Sequence, residues 1–140
     1  MSVFKASSVY NDDNGSWGPH LALTEASTSN TGYWHSKTGD KNPSIEFKMS
    51  GSKEVFSVQI VDRLNGFADR FEQVEVRVGS SSSYDSATSC GTQSYSGSTS
   101  YNYICPSNTV GQHVFIKKHG TTEDYLQINH VTVMEKGNCS

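Results

Sequence analysis

Residues 57–79 read SVQIVDRLNGFADRFEQVEVRVG and contain two strand-like runs joined by a short polar loop. In the second run, Val74, Val76 and Val78 alternate with Glu75 and Arg77, which is typical of a half-buried strand with its valines facing a core. The Asn-Gly dipeptide inside the loop is a strong turn signal. The stretch therefore predicts two strands with a tight turn between them.

Short runs of the same kind recur along the chain, separated by Gly, Asn, Asp and Ser. Two of them place apolar residues on one predicted face, namely Ile45, Phe47 and Met49 in the first and Phe56, Val58 and Ile60 in the second. Residues 113–118 and 125–134 are also rich in strand formers, and no ten-residue amphipathic helix pattern lies between the runs. The chain is therefore predicted to form one domain over residues 1–140, an all-β antiparallel sandwich of jelly-roll type.

Composition excludes several classes of function. The net charge of -3, with lysines and arginines scattered, argues against nucleic acid as a partner, because counterion release needs a clustered basic face. Hydrophobic residues make up 34% of the chain, and no apolar run approaches the length of a membrane span. The abundance of Ser, Thr, Gly, Asn and Tyr points to a secreted protein, whose export signal would lie outside these residues.

Three cysteines are present, and their spacing fits one disulfide. Cys90 and Cys105 flank a Ser/Tyr/Gly-rich segment, which we expect to be an ordered loop closed by a bond between them. Cys139 is left over one residue from the end. It is a free thiol, an intermolecular bridge that would make a homo-oligomer, or the partner of a cysteine in a missing segment.

Two of the three arginines, Arg63 and Arg70, flank the loop with six residues between them. Arginine presents several donors in a rigid fork, and Phe67 at the apex offers an apolar surface, so the three together suit a sugar with its hydroxyls and small apolar face. The alternative is a structural corner in which Arg63 pairs with Asp62 or Asp69 on the surface. No local catalytic motif is present, and we predict that the chain is not an enzyme.

The stretch 57–79 resembles the corresponding part of F-type lectins (fucolectins), a branch of the discoidin or coagulation factor C-type domains. In those proteins a strand ends in an Arg-x-Asp-x4-Arg/Lys loop and returns as a second strand. The segments ASSVY, GPHLAL, YWHSKTGDKNPSIEF and YLQINHVTVM resemble other parts of the family, so the resemblance covers nearly the whole chain. It implies a β-sandwich with ligand loops at one end, and fucose or galactose-type glycans on glycoproteins or cell surfaces as partners.

In fucose-binding members of that family, two basic residues and a histidine hold the sugar. The resemblance gives the first two roles to Arg63 and Arg70. The family's histidine position falls at Ser36, and the neighbouring His35 is expected to serve instead. This chain departs from the family at Asn65, which replaces the motif's Asp and can orient an arginine without adding charge.

Two other features of the family differ here. The adjacent cysteine pair that forms an apolar contact in many fucolectins is Gly66-Phe67, so Phe67 is expected to supply that contact. The resemblance also implies a structural calcium site, whose Ala-x-Asp-Gly-Asn segment reads Ala22-Leu23-Thr24-Glu25-Ala26, and whose late glutamate is His130. Only Glu25 remains as a carboxylate, whereas calcium takes six or more oxygen ligands. We therefore expect calcium binding to be weak or absent.

Three classes of function follow from these observations. The first is a carbohydrate-binding lectin, with fucose as the sugar that the resemblance suggests. The second is a discoidin-type adhesion module that binds protein or phospholipid through exposed side chains, which would be Trp17, Trp34 and Phe67 with Lys37 and Lys41. The third is an accessory module of a larger secreted protein, without a ligand of its own.

Overall fold

The computed structural model describes residues 1–24, 31–120 and 125–136, and these residues are mostly in strands. The strands are β1 (Ser2–Ala6), β2 (Trp34–His35), β3 (Ser44–Val61), β4 (Val74–Gly79), β5 (Thr88–Gln93), β6 (Ser100–Ile104), β7 (Val110–Lys118), β8 (Gln127–Ile128) and β9 (His130–Glu135). Helical structure in the same residues is confined to α1 (Asn14–Trp17) and three 3-10 turns (Tyr10–Asp12, Pro19–Leu23 and Ala68–Arg70). The predicted all-β fold is confirmed. None of the described helices is long and apolar enough to span a membrane.

The strands form two layers that share β3. In the first layer β1, β3, β7, β4 and β5 lie side by side in that order, with antiparallel pairing throughout. In the second layer β6 and β9 pair with opposite edges of the second half of β3. The short strands β2 and β8 form a separate ribbon. Because β3 contributes to both layers, its last residues deliver the following loop to one end of the sandwich.

A bulge in β3 overturns one part of the predicted pattern. The register between β3 and β9 shifts between Val55 and Ser57. A bulge inserts one extra residue and disturbs the alternation of inward and outward side chains. Phe56 is consequently 50% exposed, whereas Val55 is buried with Val58 and Ile60. The prediction that Phe56 shares their buried face is wrong for this reason.

The core between the layers consists of the other predicted apolar positions. Those that are buried include Ile45, Phe47, Met49, Val58, Ile60, Val74, Val76 and Val78. Phe71 and Trp34 add two fully buried aromatic rings to the same cluster. Full burial of such a side chain contributes about 1.5–3 kcal/mol. The alternation of Glu75 and Arg77 with the valines places these two side chains on the outer face of β4, where they form an ion pair.

The serine-rich segment over residues 80–100 is ordered, as predicted, and contains a strand that the sequence did not predict. This strand is β5, which pairs with β4. Cys90 and Cys105 form the predicted disulfide, which links β5 to the end of β6 across a sequence separation of 15. Closing a loop of this length contributes about 3 kcal/mol in the chain-entropy model. Cys139 lies outside the described residues.

Candidate functional site

Residues 62–71, within the loop between β3 and β4, form the predicted tight turn. Gly66 has a φ of 114° and Phe67 a φ of 59°, both in the left-handed region, where a residue with a side chain is uncommon. A 3-10 turn follows, in which the N–H of Arg70 donates to the carbonyl of Phe67 at 3.1 Å. We call residues 62–71 the arginine loop, because this turn brings Arg63 and Arg70 together.

Both guanidinium groups of the arginine loop contact the same aromatic ring. The Cζ atom of Arg63 lies 4.7 Å from the ring centre of Phe67, and that of Arg70 lies 4.2 Å from it. Each such contact contributes about 0.5–1 kcal/mol at an exposed site. The Nε of Arg63 also donates to Oδ1 of Asn65 at 2.6 Å. Asn65 therefore orients an arginine, as expected, without neutralising it.

The structural-corner alternative requires an ion pair of Arg63 with Asp62 or Asp69, and this pair is not present among the described residues. Every ion pair in the described part of the chain involves residues other than Arg63 and Arg70. Asp62 accepts a hydrogen bond at 2.7 Å, but the donor is the backbone N–H of Arg63. The guanidinium of Arg63 is thus available to face the cavity beside the loop.

That cavity is an open pocket of about 290 Å³ between the arginine loop and the N-terminal segment. It is lined by Tyr10, Trp17, Tyr33, His35, Arg63, Arg70 and Tyr125. Three of the residues proposed from the sequence, His35, Arg63 and Arg70, therefore meet at one place. Phe67 does not line the pocket. It holds the two guanidiniums from outside it, with 55% of its surface exposed.

His35 lies at the base of this pocket with both ring nitrogens engaged. Its Nδ1 donates to the carbonyl of Ser36 at 2.8 Å, and its Nε2 accepts from the side-chain amide of Gln127 at 3.0 Å. Burial, and to a lesser degree the charges of Arg63 and Arg70, lower the pKa of His35 to about 4 although the Ser36 bond opposes this. The ring is therefore neutral at physiological pH, and it offers a ligand an aromatic surface more readily than a hydrogen-bonding nitrogen. Ser36 is fully buried and lies outside the pocket.

Four aromatic rings complete the pocket. The ring centre of His35 lies 4.5 Å from that of Tyr10 and 4.8 Å from that of Tyr125, and Trp17 packs edge-on against Tyr10 at 5.0 Å. The guanidinium of Arg63 lies over Tyr33, and that of Arg70 lies over Tyr125. The sequence pattern did not assign these rings to the site. Tyr10, Trp17 and Tyr33 belong to a turn-rich N-terminal segment with an excess of aromatic residues, which was the available signal, whereas Tyr125 lies far along the chain.

A buried lysine beneath the pocket joins two of its walls. Lys118, at the end of β7, is 3% exposed, and its Nζ donates to the backbone carbonyls of Arg70 at 2.6 Å and Tyr125 at 3.2 Å. Asp62 is also buried near this lysine, and burial raises its pKa to about 7 against the opposing effects of the Arg63 N–H and the Lys118 charge. The positions of both pocket-lining backbones therefore depend on one ammonium group.

Trp34, which the adhesion hypothesis treated as an exposed side chain, is fully buried. Its Nε1 donates to the carbonyl of Ser8 at 3.0 Å, so the ring is part of the core. Lys37, from the same hypothesis, is paired with Asp12 at 3.6 Å. These contacts remove Trp34 from the proposed docking surface and leave Phe67 as its exposed aromatic residue.

The described residues at the expected calcium position do not fit a hard cation. The carbonyl of Thr24 is hydrogen-bonded to Nδ1 of His130, the residue that stands where the family has glutamate. In the described part of the chain, no group of three or more His, Cys, Asp or Glu side chains could hold a metal ion. Calcium takes oxygen ligands, whereas His130 presents a ring nitrogen to the carbonyl. Glu25 lies outside the described residues.

A larger cavity of about 350 Å³ lies on the outer face of the first layer. It is lined mainly by β1, β3, β7 and the segment after β4, and includes Glu46, Ser82, Tyr84 and Lys117. The two carboxylate oxygens of Glu46 accept hydrogen bonds from Ser82 at 3.1 Å and His113 at 2.7 Å. Its buried carboxylate is thus satisfied within the protein. We therefore favour the arginine pocket as the functional site, since its two guanidiniums converge on open space.

Comparison with known proteins assigns the family. The model of the F5/8 type C domain matches residues 3–131, and the chain belongs to this family. No curated protein sequence matches the chain.

Solved structures with the same fold include three carbohydrate-related proteins. A fucolectin from the serum of the striped bass Morone saxatilis is 24% identical with a TM-score of 0.75, over 93% of this chain and 44% of that one. A fucose binding module from Streptococcus pneumoniae is 20% identical with a TM-score of 0.71, over 93% and 90% of the two chains. A Clostridium perfringens protein in complex with GalNAc-β-1,3-galactose is 16% identical with a TM-score of 0.75, over 93% and 92%. This chain thus shares their fold and spans less than half the length of the bass protein.

Proposed function

We propose that this chain is a carbohydrate-binding module that holds a sugar in the arginine pocket. The observation that carries the proposal is the convergence of Arg63 and Arg70 on one pocket whose other walls are aromatic. Guanidinium groups supply several donors in fixed directions, and hydrogen bonds to a charged group are about twice as strong as neutral ones. The aromatic rings supply a surface for the apolar face of a sugar ring.

The dimensions and the relatives favour a single sugar unit. A cavity of about 290 Å³ lies at the small end of the range for ligand pockets, roughly 300–1,000 Å³. The compared structures include a fucolectin and a fucose binding module. We therefore propose a fucose or galactose-type ring as the ligand. An open pocket of this size should bind one ring with an affinity in about the millimolar to micromolar range.

We also propose that the module works outside the cell, on glycans of glycoproteins or cell surfaces. The Cys90–Cys105 disulfide supports this proposal, because such bonds persist mainly in oxidising compartments. Detection of the protein only inside intact cells, with both thiols reduced, would contradict it.

The function is tested by removing each guanidinium in turn. Arg63→Ala and Arg70→Ala should each weaken binding on a glycan array by roughly 1.5–3 kcal/mol, the contribution of a hydrogen bond to a charged group. Each variant should lose no more than about 1–2 kcal/mol of stability in thermal melting, because each guanidinium is half-buried and gives up two ring contacts of about 0.5–1 kcal/mol each.

Arg77→Ala is the matched control, because it removes the third guanidinium of the chain from the outer face of β4. Binding by this variant should equal that of the wild type. Unchanged binding in both pocket variants, or early melting of both, would show that the arginines are structural. If the protein binds no glycan on the array but sediments with phospholipid liposomes, the adhesion function is indicated instead.

A further inference from the structure

The described lining of the arginine pocket carries a net positive charge. Its described lining consists of two guanidiniums, four aromatic rings and His35. His35 is neutral because burial lowers its pKa to about 4. The described lining therefore has two positive charges and no carboxylate.

The nearest described carboxylates do not form ion pairs with these guanidiniums. Asp62, the first residue of the loop, is 1% exposed, and its Oδ1 accepts the backbone N–H of Arg63. Asp69 is on the exposed side of the loop. Among the described residues, neither guanidinium has a carboxylate within ion-pair distance.

Asn65 is the reason that the charge of Arg63 is not neutralised by its hydrogen-bond acceptor. Asn65 accepts the Nε–H of Arg63 at 2.6 Å, a position from which a carboxylate of the same shape would neutralise the arginine. The amide of Asn65 orients Arg63 as a carboxylate would, and it leaves the positive charge of the guanidinium unneutralised. For Arg70, the guanidinium contacts within the described residues are with the Phe67 and Tyr125 rings. Its N–H donors are therefore available to a ligand.

We infer that the pocket selects a glycan that carries an acidic group, a carboxylate or a sulfate, and that Asn65 sets this preference. The inference rests on the proposed carbohydrate function and specifies its ligand. Two guanidiniums match the geometry of a carboxylate or sulfate, which they bind through paired N–H donors. An anion in the pocket would supply the charge compensation that is absent from the described lining.

The test compares sugars that differ only in the acidic group. D-galactose, D-galacturonic acid and galactose 6-sulfate are titrated by calorimetry into the wild type, in low and in high salt. At least one of the two acidic sugars should bind about tenfold more tightly than galactose, a difference of about 1.4 kcal/mol. This ratio should fall between about 0.1 M and 1 M salt, as the screening length drops from about 10 Å to 3 Å. The two acidic sugars distinguish a carboxylate site from a sulfate site.

Asn65→Asp is the decisive variant, since it keeps the acceptor for Arg63 and adds one negative charge. The preference for the acidic sugar should fall to less than about threefold, with melting close to that of the wild type. Wild-type affinities that are equal for galactose and both acidic sugars would overturn this inference and leave the carbohydrate function intact. No binding of any of the three sugars would overturn both.

Discussion

At the scale of single residues, Phe67 shows why exposure alone does not identify a ligand contact. The ring is more than half exposed, yet its centre lies within 5 Å of both guanidinium carbons. Its backbone is in the left-handed region, with a φ of 59°. A residue that accepts this backbone conformation and holds two arginines acts by positioning them.

We therefore expect Phe67→Ala to weaken glycan binding about three- to tenfold, because both guanidiniums lose a contact of about 0.5–1 kcal/mol. Alanine keeps the same backbone requirement, so the loop itself should not relax as it would with glycine. Phe67→Tyr is the matched control and should bind as the wild type does. Affinities measured by calorimetry would contradict this role if alanine and tyrosine variants bound equally well.

His35 shows what a residue-by-residue resemblance can and cannot give. The sequence placed a histidine near the two arginines, and the structure brings its ring to the base of their pocket. Its hydrogen bonds to Ser36 and Gln127 were not predictable, because Gln127 lies 92 residues further along the chain. The expected third polar group is, in the structure, mainly an aromatic surface.

At the scale of secondary-structure elements, the end of β7 organises the pocket. The Nζ of Lys118 bonds the carbonyls of Arg70 and Tyr125, which belong to segments far apart in sequence. The adjacent Lys117 instead places its Nζ 4.7 Å from the Tyr84 ring on the outer face of the sheet. Strand alternation thus gives two neighbouring lysines different roles.

Lys118→Met should reduce glycan affinity and stability together. The variant keeps the apolar stem and removes the donor, which leaves two carbonyls without it at a cost of about 1–3 kcal/mol for a buried unsatisfied group. Lys117→Met, on the opposite face, should leave glycan binding unchanged. Affinity and urea unfolding are measured for both. Wild-type affinity in a destabilised Lys118→Met variant would show that this lysine supports the fold without positioning the site.

The elements also explain which predictions failed. Alternation predicted the buried faces of residues 45–49 and 74–78 correctly, because β3 and β4 pair with β7 without a register shift over residues 44–48 and 74–79. It failed at Phe56, where the register shifts at a bulge opposite Met134 and Glu135 of β9, far along the chain. Local pattern carries no information about such a distant partner.

At the scale of the whole molecule, the sequence specified the sandwich and the arginine loop but not the assembled pocket. The turn dipeptide and the spacing of Arg63 and Arg70 are local, and so they could be read directly. Tyr10 and Tyr125 reach the same pocket from opposite ends of the chain. Their convergence is a property of the topology, and no spacing rule in one sequence encodes it.

The whole folded chain also contains two buried groups whose titrations oppose each other. Burial lowers the pKa of His35 from 6.5 to about 4, and burial raises the pKa of Asp62 from 3.8 to about 7. Between about pH 4 and 6.5 the unfolded chain carries a proton on His35 that the folded chain does not carry, so His35 makes the free energy of unfolding rise with pH. In that window the folded chain keeps a proton on Asp62 that the unfolded chain has released, so Asp62 makes stability fall with pH.

Each of these effects has a slope of about 1.4 kcal/mol per pH unit, and with opposite signs they cancel. Between about pH 4 and 6.5, we therefore expect these two groups to leave the wild-type unfolding free energy nearly independent of pH. Asp62→Asn removes the falling contribution, and its stability should rise with pH across this window. His35→Gln removes the rising contribution, and its stability should fall.

Urea unfolding at several pH values inside this window measures these slopes. A destabilisation that is the same at every pH shifts the free energy of unfolding but leaves its slope with pH unchanged. The double variant is the control and should again be nearly flat, because both titrations are then absent. If the two single variants show slopes of the same sign, His35 and Asp62 do not titrate in opposite senses. The folded chain would then not combine a neutral imidazole at His35 with a carboxyl group at Asp62 that stays protonated up to about pH 7.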